Sequence, residues 1–109
     1  MKKGEICLIE FISFKGHEQK GFRPAIIMTD ETVNLVLVIP FTSKTEALNY
    51  NYTKEISASK KNGLENNSIA LIFQLRVVDK KKIKKKIGEL EKDILSEIDL
   101  KIKEMLKLK

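Results

Sequence analysis

Apolar residues come in short runs separated by polar, glycine-bearing stretches until about residue 80, and at helical spacing from there to the end. Residues 5–11 (EICLIEF), 23–29 (RPAIIMT) and 35–41 (LVLVIPF) are too short for stable helices and rich in β-branched and aromatic types, so they predict three strands. Pro24 and Pro40 lack an amide donor, which predicts a strand start, an edge or a bulge at each. The short polar segment DETVN between the second and third runs predicts an antiparallel hairpin. Residues 43–48 read as a loop, 50–56 (YNYTKEI) as a short exposed strand and 57–67 as a loop. Residues 69–78 (IALIFQLRVV) predict one strong central strand.

The last third admits two readings. Ile83, Ile87, Leu90, Ile94, Ile98, Ile102 and Met105 recur every three or four residues, a helical stripe. Gly88 interrupts it, at a cost of about 1 kcal/mol in a helix interior. The alternative ends a final strand at 83–88 and starts the helix near Glu91. Glu91 and Asp93 then fall in the first turn and Lys101, Lys103 and Lys107 towards the end, as the helix dipole favours. The split is the preferred reading, and the helix stripe is read as core or interface. The chain, 1–109, is then a single mainly β domain: about six short, mostly antiparallel strands in a strongly curved sheet or partly open barrel, with a C-terminal packing helix.

Composition narrows the classes of function. Hydrophobic residues make up 42% of the chain and charged residues 33%, a globular balance with no run long enough to span a bilayer. Glu5 and Glu10 break the apolar N-terminal segment, which argues against a signal peptide. A single cysteine, Cys7, excludes an intrachain disulfide and a cysteine metal cluster, and points to a cytoplasmic setting with a buried, inert thiol. The net charge of +6 equals the six lysines at 80–82 and 84–86, so the rest of the chain is balanced. That run suits a phosphate-backbone binder; read plainly, it is a solvated face.

The segment GHEQKGFRP at 16–24 concentrates ionisable groups between two glycines. It is not a phosphate loop, because the glycine spacing differs and a strand follows it. No nucleophile elbow accompanies the single histidine, His17, and no closely spaced metal ligands occur. Metal-free RNA cleavage remains open, because RNA brings its own 2′-OH nucleophile. The enzyme then supplies a base, a cationic or hydrogen-bonding clamp, and an acid. His17, Glu18 and Arg23 offer those groups.

In order, GEICLIEF, GHEQKGFRPAIIMT, VIPFTSK and NGLENNSIALIFQLRVVDKKKIKKKIGEL resemble the MazF/PemK family of toxin endoribonucleases over nearly the whole chain. The gap-free G-[SH]-E-Q-x-G-x-R-P loop is the most specific piece. The Thr42–Ser43 pair and a Q-x-R-x-x-D run (Gln74, Arg76, Asp79) follow. The resemblance implies an SH3-like barrel that forms a homodimer, cleaves single-stranded RNA without a metal or other cofactor, and is covered by a cognate antitoxin. It implies catalytic roles for Arg23, Thr42, Glu18 and His17, and RNA contacts for Gln19, Ser43, Gln74 and Arg76. One departure stands out: Phe73 occupies the place where the family often carries a carboxylate, and core packing is the fate expected of it. A non-catalytic binding module of the same fold, and a toxin acting on a protein target, are the rival readings.

Overall fold

The computed structural model describes residues 1–11, 21–30 and 34–108. Seven strands form an open, antiparallel sheet in the order β4-β5-β3-β2-β1-β7, with β6 also paired to β3. The strands are β1 (Glu5–Phe11), β2 (Gly21–Ile27), β3 (Leu35–Thr42), β4 (Thr53–Ile56), β5 (Ser68–Leu71), β6 (Arg76–Asp79) and β7 (Ile83–Glu89). One helix, α1 (Lys92–Met105), closes the chain. The split of the last third therefore holds, with Glu91 as N-cap, Asp93 in the first turn and Lys103 in the last. Among the described residues no helix is long and apolar enough to cross a membrane.

Two sequence expectations change. Residues 50–56 yield a strand only from Thr53, and a 3₁₀ turn occupies Thr45–Asn49. The run 69–78 is not one strand. A 3₁₀ turn at Ile72–Gln74 breaks it into β5 and β6, and both halves pair with β3. Strand β3 pairs with β6 over Leu35–Val38 and with β5 over Phe41–Thr42. Ile39 and Pro40 lie in the gap between these partners. A proline costs no ladder bond where no ladder is formed, which is why Pro40 is tolerated in a central strand. Pro24 sits similarly: it faces Leu8 of β1, and the β2–β3 ladder starts only at Ala25↔Pro40.

Alternation along the strands separates two clusters onto opposite faces of the sheet. Ile6, Ile26, Ile39, Phe41 and Ile56 join Leu90 and Ile98, and α1 covers this face with Ile94, Leu95, Ile102 and Met105. Cys7, Ile9, Ala25, Ile27, Val36, Val38 and Val78 form the other cluster, with Met1, Phe11 and Ile83 against it. Cys7 is a buried free thiol, and burial pushes its pKa up, which keeps it protonated and unreactive.

The segment 57–64 ties β7 to the start of α1. Fully buried Asn62 accepts from the Ser59 and Leu64 amides through Oδ1 and donates to the Ser57 carbonyl and the Glu91 carboxylate through Nδ2. Glu91 also accepts from the Ser59 hydroxyl at 2.7 Å. Partial burial alone would raise the Glu91 pKa; the bonds from Ser59, its own backbone and Asn62 outweigh burial and hold it below the usual carboxylate value. The two backbones touch here. A Cβ on Gly88 would lie 2.3 Å from the Asn62 carbonyl, and one on Gly63, at φ +72°, would lie 2.0 Å from the Ile87 carbonyl oxygen. Gly88 thus interrupts the helical stripe because it belongs to a strand that another backbone must approach closely.

Candidate active site

A cavity of about 500 Å³ opens at the start of β2 and the end of β3. Arg23 of β2 lines it, as do Thr42, which closes β3, and Ser43 and Lys44 beyond it. Residues far apart in the chain meet here because β2 and β3 run antiparallel. Extending the register Ala25↔Pro40 by two residues puts Arg23 across from Thr42, on the face that carries the Cys7–Ile9 cluster. Arg23 is also the register partner of Ile9. It is exposed, and among the described residues it makes no salt bridge or side-chain hydrogen bond. The Thr42 hydroxyl accepts from the Lys44 amide at 3.2 Å, the local backbone bond expected of a strand-end hydroxyl. Accepting that bond leaves its own proton to donate.

The other predicted residues divide into three cases. His17, Glu18 and Gln19 lie outside the described residues. Arg76 sits on β6 opposite Val38, with its guanidinium carbon 5.3 Å from the centre of the Phe11 ring. Alternation with Val78 puts Arg76 on the same sheet face as Arg23 and Thr42, although it does not line the cavity. Gln74 ends the Ile72–Gln74 turn, exposed and also outside the cavity wall. Phe73 corrects an expectation: it is 41% exposed rather than core-packed. Its ring lies 5.7 Å from that of Tyr50, tilted by 53°. The turn that breaks 69–78 rotates it out of the sheet.

Sequence reasoning missed several residues of the cavity, among them Leu8, Phe22, Pro24, Glu65 and Lys85. Phe22 and Pro24 flank Arg23, but only the pairing of β7 with β1 brings Lys85 to this place. The basic run is not one uniform patch. Lys82 pairs with Glu10 at 3.6 Å, and Lys86 pairs with Glu5 at 3.2 Å and Glu89 at 3.6 Å. Lys84 lies 4.5 Å above the Phe22 ring. Among the described residues the side chain of Lys85 makes no such contact, and it faces the cavity.

Chemically, a guanidinium, three hydroxyls and two ammonium groups around one opening suit a phosphodiester, and the single carboxylate, Glu65, tempers the field only in part. Comparison with solved structures supplies the fold class. MazF (Form-I) from Deinococcus radiodurans superposes with a TM-score of 0.79 at 22% identity, over 99% of this chain and 97% of that one. A MazE–MazF structure (Form-II) from the same organism gives a TM-score of 0.78 at 23% identity, over 100% and 97%. An endoribonuclease in complex with its cognate antitoxin, from a mycobacterial species, gives 0.70 at 13%, over 100% and 95%. At these identities the likeness establishes a MazF-like fold. The family model described as "PemK-like, MazF-like toxin of type II toxin-antitoxin system" matches residues 2–106, so the chain belongs to that toxin family. Endoribonuclease activity is general in the family.

Proposed function

We propose that this chain is the toxin of a type II toxin–antitoxin pair and acts in the cytoplasm as a sequence-specific, metal-independent endoribonuclease on single-stranded RNA. The 2′-oxygen attacks the adjacent phosphorus, the bond from phosphorus to the 5′-oxygen breaks, and the products carry a 2′,3′-cyclic phosphate and a 5′-OH. Arg23 stabilises the charge that builds on the phosphoryl oxygens, and Thr42 donates its hydroxyl proton to one of them. His17 and Glu18 handle the 2′ and 5′ protons, since an imidazole can serve as acid or base near neutral pH. Gln19, Ser43, Gln74 and Arg76 contact the RNA. The working form is a homodimer, and a cognate antitoxin covers the RNA surface.

The observation that carries this reading is the convergence of Arg23, Thr42 and Ser43 on one cavity wall, on a family member's fold. The test is incubation of a long single-stranded RNA with purified protein in excess EDTA. Discrete fragments with cyclic-phosphate ends are expected, and a ladder that needs added metal refutes the mechanism.

A second reading, a non-catalytic binder on the same fold, draws on Phe73, which the sequence resemblance puts where the family often has a carboxylate and whose ring is exposed beside Tyr50. RNA that is retained but left intact would favour it.

A further inference from the structure

Strand β7 does not pair regularly with β1. The register runs Ile83↔Ile9, then Lys85↔Leu8 and Lys86↔Cys7, so Lys84 is an extra residue in the ladder. Directly opposed residues share a sheet face. Without this bulge Lys85 would lie with Ile83 and Ile9; with it, Lys85 lies with Leu8 and, one strand further, with Pro24. Of the three consecutive lysines, Lys84 lies over the Phe22 ring, Lys86 pairs with Glu5 and Lys85 lines the cavity, while all three also border a smaller opening beside Glu5 and Cys7.

The cavity thus has two parts. Arg23, Thr42 and Ser43 stand at one side. On the other, Leu8, Phe22 and Pro24 form an apolar wall with Lys85 beside it, and Phe22 is 47% exposed with Lys84 held against it. From Lys85 to Pro24 is two strand spacings, about 10 Å, and Arg23, next to Pro24, borders the same cavity from the opposite face of the sheet. A cation next to an exposed aromatic ring on an apolar floor is the arrangement that holds a single-stranded nucleotide, phosphate on the ammonium and base on the ring.

We infer that the β7 side of this cavity is a subsite for a nucleotide flanking the scissile phosphate, with Lys85 binding its phosphate and Phe22 its base. The inference rests on the RNA reading above, and binding separates the two. Three proteins carry Arg23→Ala to prevent turnover: one with no further change, one with Lys85→Gln and one with Phe22→Ala. Lys81→Gln on the same background removes an equal charge from an exposed lysine outside the cavity. Anisotropy of labelled single-stranded RNA, titrated across salt concentrations, gives affinity and its salt slope. Lys85→Gln is expected to weaken binding about tenfold and to flatten the slope by roughly 0.7, one phosphate contact. Phe22→Ala is expected to weaken binding about tenfold with the slope unchanged.

In proteins with Arg23 intact, removing the flanking nucleotide on one side of the cut lowers kcat/KM for wild type, and much less for Lys85→Gln. Equal effects of Lys85→Gln and Lys81→Gln, or losses from RNA truncation that multiply independently of Lys85, overturn the subsite. If wild type binds RNA through Lys85 and does not cut it, the subsite stands and the catalytic reading falls. If RNA is cut normally by Lys85→Gln at every length, the reverse holds. Absence of any RNA binding overturns both.

Discussion

Two polar regions adjoin in this molecule and use their side chains in opposite ways. Where the segment 57–64 meets β7 and the start of α1, Asn62, Ser59 and Glu91 spend their hydrogen bonds on one another and on local backbone, in an enclosure tight enough to demand glycine at 63 and 88. A few residues on, Leu64 and Glu65 pass into the cavity wall, where Arg23, Ser43 and Lys85 make no side-chain hydrogen bond or salt bridge among the described residues. Polar groups whose partners lie within the fold stabilise it and are closed to ligands. Polar groups that face an opening contribute little to stability and remain available for chemistry. Substitutions in the first region should therefore reduce stability before activity, and those in the second activity alone.

The strongest challenge to that division is Arg23→Ala. It is expected to reduce RNA cleavage by about a thousandfold or more with an unchanged melting temperature, and unaltered cleavage would remove Arg23 from the mechanism. On the other side, Asn62→Ala strands two amide donors and a carbonyl in a buried site, at an expected cost of about 3 kcal/mol. Denaturant unfolding measures it. Gly88→Ala forces a methyl group against the Asn62 carbonyl and is expected to cost about 2 kcal/mol or more by the same measurement; a neutral result would mean that the two backbones do not meet as described.

A subtler comparison uses pH. The Glu91 carboxyl is held below its ordinary value in the folded protein, so its contribution to stability is present above about pH 4.5 and is lost as pH falls through the lowered folded value. Glu91→Gln should make the acid limb of a melting-temperature profile shallower below about pH 4.5, without moving the pH dependence of cleavage. The smallest effect is expected at Phe73. Its exposed ring contact with Tyr50 is worth about 1 kcal/mol or less, so Phe73→Glu should fold normally. A large rise in cleavage by that variant would show that the lack of a carboxylate at position 73 limits cleavage.

Much of the architecture was legible because it is local. The short β-branched and aromatic runs at 5–11 and 35–41, and the glycine that disfavours a helix through residue 88, depend on neighbours a few residues apart. Arg23 and Thr42 were singled out by the order of two short motifs, but their adjacency comes from the antiparallel register of β2 and β3. The break of 69–78 was not legible. Its residues have strand character throughout, and the turn exists because β3 changes partner where Pro40 leaves no ladder to continue. Nor was the outward turn of Phe73, which follows from that break.

The sequence by itself determined most of the strand segments, where the last strand yields to the helix, and, through its family resemblance, which arginine, threonine and serine to examine. Period and turn chemistry are properties of the chain. The tertiary structure alone decided that Asn62 is the buried centre of a hydrogen-bond network and that one of six similar lysines, Lys85, faces the cavity. The face a strand residue presents depends on register against a neighbouring strand. A one-residue bulge between segments almost eighty residues apart inverts that face without altering the local pattern.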